Sequence, residues 1–220
     1  MKNKLASIVA LTGLTLVAFA AQAESLVDGS IEAGKSKSLT CNACHGAAGN
    51  STNAVWPNIA GQNAPYIQAQ LMAFKSGLRK NALMSSQAML LSEEDMADLA
   101  VYFESLPGAV QSVADASLVA RGEALNRGGN KEKGVAACLA CHGPTGRGNS
   151  AAKYPVLKGQ HAAYTALQLR AYADGTRVGV GKVQIMHDIA SRLDAEDIEA
   201  VSSYVLGLKY SPNNHYRMSL

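Results

Sequence analysis

The chain has 220 residues and a formal net charge of +3, and 48% of its residues are hydrophobic. A chain of this length forms one or two domains. Beyond the first 23 residues no segment is long and apolar enough to span a bilayer, which argues against an integral membrane protein. Because the charge is nearly balanced, we expect no nucleic-acid partner.

The first 23 residues have the pattern of a secretory signal peptide. Lys2 and Lys4 supply the positive start, residues 5–20 form an apolar run, and residues 21–23, Ala-Gln-Ala, match a small-x-small cleavage site. We therefore predict cleavage before Glu24, leaving a mature protein of 197 residues that is exported into a bacterial periplasm. The alternative is an uncleaved membrane anchor, although the stretch is short for a spanning helix.

The remaining pattern is helical, because no segment shows the sustained period-two alternation of a strand. In the first half we predict helices at 29–39, 65–76 and 92–106, with an irregular loop ahead of the last of these. Ser92 and Asp95 form a capping-box pair at the start of this last helix.

The second half repeats this order of elements. We predict helices at 118–126, 162–173 and 194–208, again with a loop ahead of the last one. Asp194 and Asp197 form the equivalent capping pair.

A Pro-Gly pair marks the division between the halves. We predict a first domain at 24–107, a linker at 108–116 and a second domain at 117–220.

Both halves contain the pattern Cys-x-x-Cys-His, and the two copies use all four cysteines. The residues are Cys41, Cys44 and His45 in the first copy and Cys138, Cys141 and His142 in the second. On one helical turn these positions share a face, so two thiols can form thioethers to one porphyrin while the imidazole binds its iron. The pattern therefore predicts two covalently bound haem c groups. Disulfides and a zinc site are the alternatives, but the adjacent histidines favour haem.

A longer repeat connects the two halves. The pattern Gly-Gln-x-x-x-Tyr-x-x-x-Gln-Leu begins at Gly61 and again at Gly159. A period of about one hundred residues is too long for a solenoid and indicates two tandem domains of one fold.

Each iron needs a second axial ligand if it is to be closed to small molecules. Met84 and Met186 each lie eight residues before the capping residue of the last helix, so they occupy equivalent places in the repeat. Methionine opposite histidine raises the reduction potential of a haem. Met89 and His187 are the competing ligands, but the repeat places a serine opposite each of them.

Several polar residues lie at equivalent positions near the predicted haems. The loop around Pro57 or Pro155 could supply a carbonyl that accepts the Nδ1–H of the ligating histidine, or these could be plain loop prolines. Arg79 and Arg177 either pair with haem propionates or lie solvated on the surface. We expect His161 to face the solvent.

Two further pairs repeat at the same spacing, Tyr66 with Tyr164 and Gln62 with Gln160. These side chains bond propionates, meet at the boundary between the domains, or lie at the edge of the helical core. We favour the core edge.

The paired haem motifs, the Gly-Gln-x-x-x-Tyr repeat and the equal spacing from methionine to cap together resemble the dihaem cytochrome c4 family. The resemblance covers essentially the whole mature chain. It implies an all-α protein of two tandem class I cytochrome c domains, each wrapped around one covalently bound haem. It also implies axial ligation by His45 with Met84 and by His142 with Met186.

The same resemblance implies a role and partners. Members of the family carry electrons in the periplasm, often in association with the membrane, from the quinol-oxidising bc1-type complex to a terminal oxidase. An electron-accepting subunit of a periplasmic dehydrogenase would have the same fold and haems. A dihaem peroxidase would need an open iron and a distal acid-base pair, whereas this sequence offers a methionine at both sites and no such pair.

The charge is unequal between the halves. Residues 24–107 carry a formal net charge of −3 and residues 108–220 a net charge of +4, which favours a dipolar molecule whose ends meet different partners. Four lysines near the second haem are candidates for contacting an acidic oxidase face: Lys131, Lys133, Lys153 and Lys158.

Overall fold

The structure is a computed structural model that describes residues 25–177 and 181–208. The predicted signal peptide and the tail beyond residue 208 lie outside the described residues. Within these two ranges the chain forms ten α-helices and no strand beyond two isolated β-bridges. The helices are α1 (Ile31–Lys37), α2 (Leu39–His45), α3 (Ala64–Lys75), α4 (Ala82–Met89), α5 (Glu93–Ser105), α6 (Val119–Gly128), α7 (Leu139–His142), α8 (Ala162–Ala173), α9 (Lys182–Ala190) and α10 (Ala195–Leu206).

Both halves use the same order of helices, which confirms the predicted all-α fold. Helices α3, α5, α8 and α10 begin and end within two residues of their predicted bounds. Both predicted capping boxes are present. The Ser92 hydroxyl accepts the Asp95 N–H at 3.0 Å, and Asp194 accepts the Asp197 N–H at 2.8 Å. These helices could be predicted from local sequence because they have capping residues and apolar faces at helical spacing.

Our expectation of irregular loops ahead of the last helices was wrong, because α4 and α9 lie there. Helix α4 begins after Asn81, whose side chain accepts the Met84 N–H at 3.0 Å and so acts as an N-cap. Each of these helices has fewer than ten residues. Helices this short depend on tertiary support that local sequence does not reveal.

In each half the first helix crosses the last helix at a glycine. A Cβ atom at Gly34 of α1 would lie 2.1 Å from the carbonyl oxygen of Asp98 in α5. At the equivalent Gly122 of α6 a Cβ atom would lie 2.3 Å from the carbonyl oxygen of Ala200 in α10. Only glycine allows two backbones to approach this closely. The glycine therefore sets how closely the first and last helices of each half pack.

The last helix supplies most of the buried core cluster in the first half and half of it in the second. Leu99 and Phe103 of α5 are each 2% exposed, and Val201 and Val205 of α10 are buried in the same way. Partly buried side chains of the predicted haem motifs border these two cores, Cys41 in the first half and Cys138 in the second. The two motifs thus lie against the apolar interior rather than on an open surface.

Candidate haem sites

The Cys-x-x-Cys-His segments occupy equivalent helical turns, at the end of α2 and in α7. All four cysteines are half-buried, whereas His45 and His142 are each only 7% exposed. Burial raises the pKa of the Cys41 thiol and raises that of Cys138 to about 11. A raised pKa disfavours the thiolate form of Cys41 and Cys138, which a redox-active disulfide would need.

A proline carbonyl holds each histidine of the motif. The Nδ1 atom of His45 lies 2.8 Å from the carbonyl oxygen of Pro57, and that of His142 lies 3.0 Å from the carbonyl oxygen of Pro155. A carbonyl can only accept, so Nδ1 must carry the proton. Burial also lowers the pKa of both imidazoles, which keeps the rings neutral. Nε2 is therefore the free lone pair of each ring, as an iron ligand requires.

These contacts decide between the two interpretations of the prolines. Pro57 and Pro155 are not plain loop residues, because their carbonyls orient the imidazoles. Such a bond fixes the tautomer and raises the basicity of a ligating histidine. Each half therefore has an oriented imidazole whose Nε2 lone pair is free to bind a haem iron.

The two methionines proposed as second ligands lie on the short helices α4 and α9. Both Met84 and Met186 are half-buried, and Met186 packs against the core of the second half. The competitor Met89 is 59% exposed. The other competitor, His187, donates its Nδ1–H to the carbonyl of Tyr172 at 2.7 Å, which ties the ring to α8. The placement is consistent with Met84 and Met186 as ligands, and this assignment stays a prediction.

The repeated arginines meet across the boundary between the halves. Arg79 donates to the Tyr164 hydroxyl at 2.9 Å and to Oε1 of Gln168 at 2.8 Å. Arg177 donates in the mirrored way to the Tyr66 hydroxyl at 3.1 Å and to Oε1 of Gln70 at 2.7 Å.

Our preferred interpretation of the tyrosines was wrong, because Tyr66 and Tyr164 lie between the domains rather than at a core edge. Of the two alternatives open for the arginines, a solvated surface position does not hold for Arg177, which is only 6% exposed. Burial alone would raise the pKa of Tyr66, yet the positive charges of Arg177 and Arg79 lower it overall. Pairing of the arginines with haem propionates stays a prediction.

Sequence reasoning also missed contacts that depend on distant residues. His161, expected to face solvent, places its Nε2 atom 2.9 Å from the carbonyl oxygen of Ser51 in the other half. Asn63 donates to the carbonyl of Tyr154 at 2.8 Å. No local pattern announces these bonds, because each joins residues that are about one hundred positions apart. The repeat itself was the one available signal, since it marked the surrounding segments as equivalent.

The chain matches the family model for cytochrome c twice, over residues 31–107 and 129–209. It is 43% identical over 208 residues to cytochrome c4 of Pseudomonas aeruginosa, an alignment that covers 94% of this chain and 100% of that protein. A thiosulfate dehydrogenase electron acceptor of Thiomonas intermedia is 36% identical over 179 residues, or 80% of this chain and 82% of that protein. The crystal structure of reduced recombinant cytochrome c4 from Pseudomonas stutzeri has a TM-score of 0.79 at 43% identity and covers 82% of this chain and 100% of that one.

Two helical domains, each with a buried Cys-x-x-Cys-His turn oriented by a proline carbonyl, define a tandem c-type cytochrome. The doubled family match agrees with this class. With relatives above 40% identity over most of its length, the chain belongs to the cytochrome c4 family. Its cofactors are two covalently bound haem c groups, and it is an electron carrier rather than an enzyme.

Proposed function

We propose that this carrier works in the periplasm and moves electrons, one per haem, from a quinol-oxidising complex of the bc1 type to a terminal oxidase. The pairing of both buried histidines with proline carbonyls is the observation that supports two ligated haems, and the carrier role rests on those haems. A bound haem supplies one-electron chemistry through its iron. The residues of the chain keep each imidazole in one tautomer and one orientation, which limits rearrangement when the charge of the site changes.

We assign the axial pairs as His45 with Met84 and His142 with Met186. The exposure of Met89 supports Met84 as the first ligand, and the packing of Met186 against the core of the second half supports Met186 as the second. Two methionines at equivalent places of the repeat would close both irons to small molecules. A redox-titrated optical spectrum checks the assignment, since the methionine–iron charge-transfer band should have the intensity of two sites.

Export and docking follow from charge and from the leader pattern. Residues 1–23 match a secretory signal peptide, which supports a periplasmic location. The positive second half supports transient docking on an acidic oxidase face, steered by charge and weakened by salt. Lys131 and Lys153 are exposed and available for such docking. Lys133 is not, because it binds Asp194 and Asp197, each at 2.6 Å.

A dehydrogenase is the second candidate for the electron donor. The similarity to a thiosulfate dehydrogenase electron acceptor favours this alternative. The same pair of haem domains could receive electrons from such a periplasmic dehydrogenase, permanently or transiently bound. In either case docking would be peripheral to the membrane. Within the described residues no helix is long and apolar enough to cross a bilayer.

Stopped-flow mixing of the oxidised holoprotein with candidate donors tests the proposal. We expect rapid reduction by quinol plus the bc1-type complex, and rapid reoxidation by a terminal oxidase, both slowed as salt concentration rises. Reduction by thiosulfate plus its dehydrogenase, with none by the quinol system, would favour the second candidate. Failure of both donors, or turnover of peroxide by the protein, would contradict the carrier role.

A further inference from the structure

The peptide group that holds the histidine of the first domain is itself held from the second domain. The carbonyl of Pro57 accepts the His45 Nδ1–H at 2.8 Å. The N–H of the same peptide group belongs to Asn58 and donates to Oε1 of Gln160 at 2.9 Å. Nε2 of Gln160 donates back to the Asn58 carbonyl at 2.8 Å. One peptide group therefore separates the histidine from an amide of the other domain.

The second domain has the reciprocal arrangement. The carbonyl of Pro155 accepts the His142 Nδ1–H at 3.0 Å, and the N–H of Val156 donates to Oε1 of Gln62 at 2.8 Å. Nε2 of Gln62 donates to the Val156 carbonyl at 3.0 Å. Gln62 is 7% exposed, so this amide is shielded from water. The two domains thus exchange the same two-bond clamp.

Hydrogen bonds at the two ends of a peptide group reinforce each other. A bond to the N–H polarises the amide, which strengthens a hydrogen bond to its carbonyl by about 10–30%. A better acceptor makes the ligating imidazole more basic. A more basic ligand stabilises the ferric state and lowers the reduction potential, because second-shell hydrogen bonding is one of the levers on haem iron.

We propose that Gln160 and Gln62 are positioning residues that set the reduction potential of the haem in the opposite domain. Gln160 acts on the haem of the first domain through the peptide of Asn58. Gln62 acts on the haem of the second through the peptide of Val156. The inference deepens the proposed function and rests on ligation by the histidines of the two motifs.

The two clamps differ in how much else supports them. The side chain of Asn58 accepts the Ser51 N–H at 2.8 Å and donates to the Gly159 carbonyl at 2.8 Å, so its peptide is anchored by more than Gln160. Val156 has no polar side chain to make such bonds. Loss of Gln62 should therefore disturb the second haem more than loss of Gln160 disturbs the first.

Potential measurements on Gln160→Met and Gln62→Met holoproteins test the proposal, because methionine keeps the volume and removes the amide. We expect Q160M to raise only the potential of the first haem. The expected change in its reduction equilibrium is about threefold, which equals about 28 mV at about 59 mV per tenfold change. Q62M should raise only the potential of the second haem, by more. The Met84→Ala and Met186→Ala variants show which of the two voltammetric waves belongs to which domain, because each should shift the wave of its own haem.

A second measurement and a matched control distinguish an effect on the ligating histidine from a general loosening of the contact between the domains. In the reduced protein, the Nδ1–H proton resonance of His45 should move upfield in Q160M and stay in place in Q62M, because only the first change weakens its bond. Asn63→Ala removes one hydrogen bond between the domains and leaves both glutamine clamps intact. Because that bond reaches Tyr154, next to Pro155, this variant is the control for the first haem, whose potential should not move.

Gln160→Glu keeps an acceptor for the Asn58 N–H, loses the donor to the Asn58 carbonyl and adds negative charge, so it should lower the potential of the first haem. This variant keeps the proposal open to refutation if Q160M does not take up haem. Three results would overturn the proposal. The first is an equal shift of both reduction potentials in Q160M or in Q62M, and the second is no shift of either potential in these two variants. The third is a raised potential of the first haem in Q160E. The methionine–iron band of the parent protein tests the ligation separately.

Discussion

The two methionines of α4 differ in how far their side chains reach solvent. Met84 is half-buried and Met89 is 59% exposed. We expect Met84→Ala to lower the potential of the first haem by about 0.1 V or more, since axial ligands set haem potentials over about 0.8 V. Voltammetry measures the shift, and a cyanide titration shows whether the iron has opened.

Met89→Ala is the matched control on the same helix. Removal of an exposed side chain should leave both the potential and the cyanide affinity unchanged. Strong cyanide binding by Met89→Ala, with Met84→Ala unaffected, would show that the two residues have been assigned in the wrong order.

What the sequence predicts at this scale depends on distance along the chain. Five adjacent residues contain the whole pattern for haem attachment, so Cys41, Cys44 and His45 could be recognised at once. The Pro57 carbonyl lies 12 residues from His45, and that spacing is compatible either with a bond to the histidine or with a plain loop proline. The bond from Asn58 to Gln160 spans 102 residues, and no spacing rule predicts it.

Among the helices, α6 contains two glycines with opposite surroundings. A Cβ at Gly122 would lie 2.3 Å from the carbonyl oxygen of Ala200, whereas nothing lies within 4 Å of a Cβ at Gly128. We expect Gly122→Ala to reduce the free energy of unfolding by about 1–3 kcal/mol, because α6 must move away from α10. Thermal and denaturant unfolding of the holoprotein measure the change.

Gly128→Ala should instead raise stability slightly, by at most about 1 kcal/mol, because alanine is the better helix former and has room. An equal loss in both variants would mean that the close crossing of α6 and α10 does not control the stability of this half.

The starts of α5 and α10 give the protein a predictable response to acid. Hydrogen bonds from Lys37 and then from Ser92 lower the pKa of Asp95 to about 2, from an ordinary value of 3.8. Hydrogen bonds from Lys133 and the Asp197 N–H likewise lower the pKa of Asp194 to about 2. A carboxyl with a lowered pKa stabilises the fold above its unfolded value, and this contribution is lost as the pH falls through the folded value.

We therefore expect the melting temperature of the oxidised holoprotein to be nearly constant from about pH 7 to 5 and to fall between about pH 4 and 2. Circular dichroism at a series of pH values measures it. Lys37→Met should flatten the decrease, because Asp95 loses its main partner. A melting temperature that holds constant down to pH 2 would be inconsistent with this account.

At the scale of the whole molecule, hydrogen bonds across the boundary couple the two domains. Arg177 is buried, donates to Tyr66 and Gln70 across the boundary, and lies 4.5 Å from the ring centroid of Tyr172. Removing a buried, hydrogen-bonded charge leaves partners unpaired and typically costs about 1–3 kcal/mol for each. We expect Arg177→Met to separate the unfolding of the two domains into distinct calorimetric transitions.

Arg170→Met is the control for this prediction. Arg170 pairs with Glu199 on an exposed surface, where an ion pair contributes at most about 1 kcal/mol. Its calorimetric trace should match that of the parent protein. If Arg177→Met also unfolds as the parent does, the arginine cluster is not what couples the domains.

The sequence predicted two tandem helical units, but not how they face each other. The repeat showed that Tyr66 and Tyr164 are equivalent, and equivalence is compatible with many relative orientations. The choice among them depends on polar side chains that are satisfied only by the other unit, such as Gln62 on Val156. Helix periodicity and capping rules contain no information about such pairs.

The equivalent contacts on the two sides of the domain boundary have a consequence for the direction of electron transfer. Every clamp and arginine contact of one domain has its counterpart in the other, so forward and backward transfer between the haems meet matching surroundings there. A preferred direction must then arise where the halves differ, in Asn58 opposite Val156 and in net charges of −3 and +4. We therefore expect electron transfer between the haems to be reversible, with its net direction set by these differences and by the partners proposed at the two ends.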